Sequence, residues 1–245
     1  FGLVRIVFDV YGLGNADRLG VLQPLMFLAA VTIVYGSLKA LFQDELKKRL
    51  AYSTVSQVSY VVLGISMAAP AAAIGGLVHL VHQGIMKITL FFGAGNYAET
   101  LGIHRVSEMD GVGRRMRWTT AAFTVGAFGM IGVPALAGYV SKYYLQKGAL
   151  AAGHDLVPWV LTASSLLNAA YFLPILWRAW FKAPPAAWPD EHRSGRWEAH
   201  LMLLLPPVVT AVLVLWAGLM ADSAFSPLGW VRLVAAGELT PAGFP

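Results

Sequence analysis

Long apolar runs separated by short charged segments make up the chain. A membrane-spanning helix needs about 20 mostly apolar residues, and several segments reach that length. These segments are residues 22–43, 50–70, 71–98, 156–181 and 199–221. Residues 1–12 have the composition of the end of a further span, so we interpret Phe1 as a position inside a larger protein. The pattern predicts an all-α polytopic membrane protein in which residues 1–245 form one transmembrane domain.

A further apolar stretch, residues 117–152, is too long for one plain helix and is interrupted at Gly132 and Pro134. Positive charges are enriched in cytoplasmic loops, so Lys and Arg indicate how often this stretch crosses. If this stretch crosses the membrane once, loops 44–49, 99–117 and 182–198 lie on the same side of the membrane. These loops hold Lys47, Lys48, Arg49, Arg105, Arg114, Arg115, Arg117, Lys182, Arg193 and Arg196. The other side keeps Arg18, Lys147 and Arg232. The asymmetry favours one discontinuous helix, with the three loops in the cytoplasm.

The interruption at Gly132 and Pro134 is itself informative about function. A broken helix at membrane depth is tolerated where its loosened backbone lines a cavity or is buried in protein. The break therefore indicates transport. A plain proline kink is the alternative, because proline is common in membrane helices.

Composition agrees with a membrane location and excludes several kinds of site. The chain is 57% hydrophobic and 13% charged, with a mean hydropathy of +0.62, whereas soluble domains carry about 25% charged residues. There is no cysteine, which excludes disulfides and thiolate metal sites. No dinucleotide-binding fingerprint or phosphate-binding loop is present. We therefore expect no cofactor, no metal and no catalytic site in this chain, and the net charge of +5 is assigned to loops rather than to nucleic-acid binding.

Two lysines fall inside predicted spans, whereas every acidic residue lies in a loop or at the end of a span. Lys87 lies deep in 71–98, and Lys142 lies just past the break in 117–152. A charge at the bilayer centre costs about 3 kcal/mol or more. Such residues are normally functional, so both lysines are candidate proton carriers.

His79, Gln83 and Lys87 are spaced four residues apart, which places them on one stripe of a helix, and His82 flanks that stripe. Neighbours at this spacing lie about 6 Å apart. With bridging water, such a stripe can pass protons. The alternative is that the histidines only hydrogen-bond adjacent helices.

Other polar residues leave two interpretations open. Lys39 and Arg178 lie about one turn from the ends of their spans and can reach the interface with their charged heads. Asn168 and the serines at the start of 50–70 can line a wet path or can bond across helices. The residues alone do not separate these alternatives.

Four segments resemble a known family. Residues 43–57 resemble its signature around L-A-Y-S, and residues 79–95 resemble its histidine–lysine helix. Residues 132–142 resemble its broken helix, with G-x-P followed by G-Y-x-S-K, and residues 110–116 resemble the loop before that helix. The family is the antiporter-like membrane subunits of respiratory complex I, the related membrane-bound hydrogenases and the Mrp sodium/proton antiporters.

The resemblance implies a fold and a set of roles. Members have fourteen helices with two inverted five-helix repeats, and this chain would hold the second repeat with its discontinuous helix, a last helix and the end of a preceding one. Lys142 would receive or release the proton, Lys87 would be the central lysine, and His79 would be its partner. Lys39 and Lys47 are further candidates. Gln83 stands where many relatives have a second histidine, so that step would need water or His82.

The resemblance predicts proton translocation in a bacterial or archaeal cell membrane. The chain would be a pumping subunit of an NADH:quinone oxidoreductase or hydrogenase-type complex, or part of an Mrp-type sodium/proton exchanger. Its expected partners are other membrane subunits, the lipid bilayer, and protons or sodium. Two alternatives remain from the sequence: a non-conducting membrane scaffold, and a solute transporter of another family.

Overall fold

The computed structural model describes residues 2–192 and 197–238, and within these ranges the chain is helical without a strand. The helices are α1 (Gly2–Arg5), α2 (Leu13–Arg18), α3 (Leu22–Leu41), α4 (Leu46–Ser66), α5 (Pro70–Leu101), α6 (Val112–Arg115), α7 (Arg117–Ile131), α8 (Ala137–Ala151), α9 (Leu156–Phe181), α10 (Leu201–Leu219) and α11 (Pro227–Glu238). A π-helical turn, Ile6–Tyr11, joins α1 to α2, and a short 3₁₀ turn, Val106–Glu108, precedes α6. The predicted all-α class is confirmed.

Four of the described helices are long and apolar enough to cross a membrane: α3, α5, α9 and α10. Helix α4 is also long, but it begins with the cations of Lys47, Lys48 and Arg49. It starts at Leu46, earlier than the predicted span at 50, because a helix can continue beyond the apolar part of its sequence into the interface. The membrane boundaries of all these helices remain predictions.

Helix α5 is the central element of the bundle and packs against α4, α7, α8 and α10. Small residues allow the closest approaches. A side chain at Gly148 of α8 would lie 2.2 Å from the backbone nitrogen of Ala72 in α5, and one at Gly64 of α4 would lie 2.8 Å from the Cα of Gly76. Close backbone contact through small residues is the usual way that membrane helices associate.

Two loops contact each other at one end of the bundle. One joins α3 to α4, and the other follows α5. The carboxylate of Asp44 accepts from the backbone and hydroxyl of Ser107, at 3.0 and 2.8 Å. Glu45 and Arg105 form an isolated antiparallel backbone bridge. Loops 44–49 and 99–117 therefore lie together.

The segment after α9 joins the same end. Arg178 in the last turn of α9 and Lys182 directly after it both form ion pairs with Asp110, at 2.8 and 3.3 Å. Glu198 accepts from the backbone nitrogens of Trp118 and Thr119 at the start of α7, at 2.8 and 2.6 Å. Loop 182–198 thus lies beside the other two, as far as it is described. Arg193 and Arg196, which belong to the predicted cytoplasmic loop, lie outside the described residues.

Lys147 and Arg232 lie at the opposite end of the bundle. Helices α7 and α8 run away from the three loops, so Lys147, near the C-terminal end of α8, is distant from them. Arg232 of α11 bonds the hydroxyl of Tyr144 in α8 and pairs with Asp222 at 3.0 Å. The bundle therefore has one end that carries most of the described cations and another that carries few.

The predicted discontinuous helix is present as α7 and α8, separated by residues 132–136. Gly132 (φ +96°) and Ala135 (φ +70°) both adopt left-handed backbone conformations, which end the first half and redirect the chain. A side chain at Gly138 would overlap the carbonyl oxygen of Gly129. Glycine at this position lets the second half begin directly against the end of the first.

Candidate functional site

The break between α7 and α8 creates acceptors for a buried lysine. In a continuous helix the carbonyl of Met130 would accept from the backbone nitrogen of residue 134, but Pro134 has no N–H. The Nζ of Lys142 instead donates to the carbonyls of Met130 and Ile131, both at 2.9 Å. Pro134 therefore frees the acceptor that the lysine uses.

Lys142 is enclosed on its remaining sides. Its third hydrogen bond goes to the hydroxyl of Ser165 in α9, at 2.9 Å, and its Nζ lies 5.8 Å from the ring centre of Tyr60. Only 7% of the residue is exposed. Gly132 leaves room for the side chain, since a Cβ there would lie 3.0 Å from the Cδ of Lys142.

Lys87 is also buried but faces a different helix. Its Nζ donates to the carbonyl of Leu50 at 3.1 Å and to the hydroxyl of Ser53, both on α4. Ser53 in turn donates to the carbonyl of Leu50 at 3.2 Å. Among the described residues no carboxylate forms an ion pair with Lys87 or Lys142, so both ammonium groups rest on neutral oxygens.

His79 lies between α4 and α8. Its Nδ1 is 2.8 Å from the hydroxyl of Ser141, the residue before Lys142, and its Nε2 is 3.2 Å from the side-chain oxygen of Gln57. Its ring stacks on Tyr60, with centroids 4.9 Å apart. The imidazole thus joins Ser141 to Gln57: because the side-chain oxygen of Gln57 can only accept, Nε2 donates to it, and in the neutral ring Nδ1 accepts from the hydroxyl of Ser141.

His82 and Gln83 are buried on α5 with few polar contacts. Neither ring nitrogen of His82 and no acceptor site of Gln83 has a hydrogen-bond partner of good geometry among the described residues. The predicted stripe of His79, Gln83 and Lys87 is therefore present as a row on α5, but His79 bonds to α4 and α8 and Lys87 bonds to α4, rather than to one another.

Near His79 and its stacking partner Tyr60, the described part of the chain has further buried polar atoms without a hydrogen-bond partner of good geometry. They are the side-chain nitrogen of Gln57, the hydroxyl of Tyr60 and the hydroxyl of Ser164. Buried polar groups normally have hydrogen-bond partners, and water commonly supplies them where protein does not. The region between α4, α5 and α9 is thus suited to hold internal water.

The peripheral candidates lie outside this cluster. Lys39 and Lys47 are exposed, and Lys39 rests 5.7 Å from the ring centre of Tyr35. Arg178 is paired with Asp110 at the end of the bundle that carries the loops. The structure does not bring any of the three into contact with Lys87 or Lys142.

The sequence analysis did not identify Arg49 as a buried residue. Arg49 donates to the carbonyls of Gln43 at 2.7 Å, Leu41 at 3.4 Å and Tyr171 at 3.1 Å, which ties the ends of α3 and α4 to α9. Its place in the run Lys47–Arg49 made it look like a loop cation. The only available signal was its position directly before the apolar part of α4.

Comparison with known proteins decides the family. Residues 1–168 match the family described as NADH:quinone oxidoreductase/Mrp antiporter, TM. The chain belongs to this family. It is 37% identical over 212 residues to NADH-quinone oxidoreductase subunit N of Desulforudis audaxviator, covering 84% of this chain and 42% of that protein. It is 26% identical over 197 residues to one of the Na(+)/H(+) antiporter subunits of Bacillus subtilis, covering 80% and 39%.

Solved structures agree at the level of the fold. A chain of the Mrp complex from Dietzia sp. DQ12-45-1b matches with a TM-score of 0.78 and 23% identity, covering 91% of this chain and 48% of that one. A chain of respiratory complex I from Thermus thermophilus matches with a TM-score of 0.73 and 22% identity, covering 90% and 45%. The predicted polytopic membrane fold is confirmed. The chain spans less than half the length of the relatives it matches.

Proposed function

We propose that this chain translocates protons as part of an antiporter-like subunit in a multisubunit membrane complex. Lys142, Lys87 and His79 carry the protons, and His82 and Gln83 flank the path. The observation that carries the proposal is the position of Lys142, buried at a helix break on carbonyls that the break itself frees. Broken helices in membrane transporters place such groups at the ion path.

The surroundings of Lys142 favour reversible proton exchange over a fixed ion pair. An ammonium group has three donors, and Met130, Ile131 and Ser165 supply three neutral acceptors. Loss of the proton therefore leaves no uncompensated carboxylate behind. Lys87 has the same property, since it rests on a carbonyl and a hydroxyl.

His79 supplies the step nearest Lys142. Ser141 connects the imidazole to the turn of α8 that carries the lysine. Water bound by the polar groups of Gln57 and Tyr60 completes the contact between the histidine and the lysine. The ring passes a proton by taking it at one nitrogen and releasing it at the other.

The rest of the assembly supplies the driving force. We propose that other membrane subunits flank this chain, as the names of its relatives indicate for those proteins. The end that carries loops 44–49, 99–117 and 182–198 faces the cytoplasm, in accord with its described cations. Protons, with or without exchange for sodium, are the transported ions.

Replacement of Lys142 tests the proposal. Lys142→Ala in the full-length subunit, assembled in its complex and reconstituted in vesicles, should reduce proton translocation about a hundredfold or more. Lys147→Ala is the matched control, because Lys147 is exposed on the same helix. Unchanged proton flux in Lys142→Ala, with normal assembly, would overturn the proposal and favour a scaffolding role.

A further inference from the structure

Tyr60 of α4 is a fully buried tyrosine whose ring lies against two groups that can hold a proton. The imidazole of His79 stacks on this ring, with centroids 4.9 Å apart and an angle of 23° between the planes. The Nζ of Lys142 lies over the same ring, 5.8 Å from its centre. Among the described residues no other aromatic ring contacts both a histidine and a cation.

Three helices bring these groups together. Gln57 and Tyr60 are three residues apart, which places them on one face of α4, and the side-chain oxygen of Gln57 accepts from His79 of α5 at 3.2 Å. On α8, the hydroxyl of Ser141 bonds the other nitrogen of the same imidazole at 2.8 Å, and Lys142 follows Ser141 directly. Hydrogen bonds at both nitrogens and the face of Tyr60 thus hold the imidazole.

The ring of Tyr60, rather than its hydroxyl, makes these contacts. The hydroxyl has no hydrogen-bond partner of good geometry among the described residues. The face of an aromatic ring carries negative potential and attracts a cation within about 6 Å of its centre, and the attraction is stronger where water is excluded. Because Lys142 has no carboxylate partner in the described part of the chain, the ring supplements the neutral oxygens around its ammonium group.

We propose that Tyr60 is a positioning residue for the proton step between His79 and Lys142. Its ring stabilises the ammonium form of Lys142, and stacking on the ring keeps the imidazole of His79 in the orientation in which it bonds Ser141 and Gln57. The ring itself neither takes nor gives a proton. This inference rests on the proposed function, in which both residues carry protons, and adds the group that tunes the exchange.

Fluorinated phenylalanines at position 60 test the role of the ring with little change of shape. Tyr60→Phe removes the hydroxyl and keeps the ring, so it should retain the wild-type pH profile of translocation. Each fluorine added to that phenylalanine then weakens the negative potential of the ring face. Over the series, measured in the full-length subunit within its reconstituted complex, the alkaline side of the pH profile should shift to lower pH by about one unit, which corresponds to a tenfold change.

A second readout follows Lys142 without turnover. Infrared spectroscopy with isotope-labelled lysine reports the ammonium group, and Lys142→Ala in the same background identifies the contribution of Lys142. This contribution should be lost at lower pH as fluorination increases. The other titratable groups of the surrounding helices are the same in every member of the series, so the difference between members reports the ring. These groups are Lys87 and His82 of α5, Tyr171 of α9, and the exposed Tyr35 and Lys39 of α3.

Tyr97→Phe with the same fluorinated analogues is the matched control. Tyr97 is a fully buried tyrosine of α5 that packs against the ring of Phe123, with centroids 5.9 Å apart. No described lysine or arginine lies over its ring. The control series therefore reports the effect of fluorine on packing alone, and it should leave the pH profile unchanged.

The outcomes separate this inference from the proposed function. If Lys142→Ala abolishes translocation while fluorination at position 60 changes neither the pH profile nor the lysine signal, the inference is wrong and the proposed function stands. If fluorination at positions 60 and 97 shifts both readouts equally, the effect is general, and the inference is also wrong. If Lys142→Ala has no effect on translocation, the proposed function fails, and the inference fails with it. Subunit content in the purified complex shows that each variant assembles.

Discussion

At the scale of single residues, the defining feature is a pair of buried lysines that rest on neutral oxygens. Removing a charge from water costs free energy that carbonyl and hydroxyl acceptors only partly return. Lys87 and Lys142 are therefore expected to lower stability relative to apolar side chains of similar shape. Since the two lysines do not stabilise the fold, we propose that they are present because they exchange protons.

Lys87→Met should separate function from stability. Methionine fills a similar volume without a charge, and Ser53 keeps its bond to the carbonyl of Leu50. We expect proton translocation to fall about a hundredfold, while the thermal unfolding midpoint of the solubilised complex stays the same or rises. Lys48→Met is the control, because Lys48 is exposed and paired with Glu45 at the surface. A lower midpoint together with normal translocation would mean that Lys87 is a structural residue.

The sequence was sufficient to find the two buried lysines and His79 but not their partners. Lys87, Lys142 and His79 stand out because they interrupt apolar runs of spanning length. That Lys142 binds the carbonyl of Met130 could not be predicted, since this contact depends on how the start of α8 packs against the end of α7. The contact between Lys87 and Ser53 likewise depends on the packing of α5 against α4, for which the sequence pattern of one helix holds no information.

At the scale of elements, the interruption between α7 and α8 both shapes the helix and holds the lysine. Gly132→Ala should be more harmful than a typical glycine substitution. Alanine at φ +96° is strained by about 1 to 2 kcal/mol, and its Cβ would also lie 3.3 Å from the Nζ of Lys142. We expect a lower unfolding midpoint and a lower rate of proton translocation.

Gly153→Ala provides the matched control for that experiment. Gly153 has a similar left-handed conformation (φ +71°), but a Cβ there would meet no atom within 4 Å. This variant should therefore show the backbone strain alone, with normal translocation. Equal loss of translocation in both variants would show that the contact with Lys142 is unimportant.

The start of α7 is stabilised by a carboxylate from outside the helix. Glu198 accepts from two backbone nitrogens and from the hydroxyl of Thr119 at 2.8 Å, which satisfies donors that a helix start leaves unpaired. Glu198→Ala should lower the free energy of unfolding by about 1 to 2 kcal/mol, measured by denaturation of the solubilised complex, and leave translocation unchanged. Glu99→Ala, at an exposed position of α5 near the same end, should have almost no effect. If Glu198→Ala unfolds no more easily than Glu99→Ala, the capping role is wrong.

At the scale of the whole molecule, the bundle has one end rich in cations and loops. The distribution of Lys and Arg in the sequence predicted that loops 44–49, 99–117 and 182–198 share a side, and their described parts do lie together. The sequence could not predict the contacts that join them, because Asp44 meets Ser107, and Glu198 meets Thr119, across large separations in the chain. The side of the membrane that they face is still a prediction.

Single-cysteine labelling tests that orientation, and this chain itself has no cysteine that would also take the label. Lys48→Cys lies at the end with the loops, and Lys147→Cys lies at the opposite end. Both positions are exposed. In intact cells a membrane-impermeant maleimide should label Lys147→Cys and spare Lys48→Cys, and inverted vesicles should show the reverse. The same labelling of both positions from one side would contradict the predicted orientation.

The most direct measurement is the protonation of Lys142 during turnover. Infrared difference spectroscopy on the reconstituted complex, with isotope-labelled lysine, reports gain and loss of the ammonium group. We predict a lysine signal that changes between resting and driven states, that loses the contribution of Lys142 in Lys142→Ala and that persists in full in Lys147→Ala. A lysine signal that stays constant while protons are being translocated would show that Lys142 does not carry them.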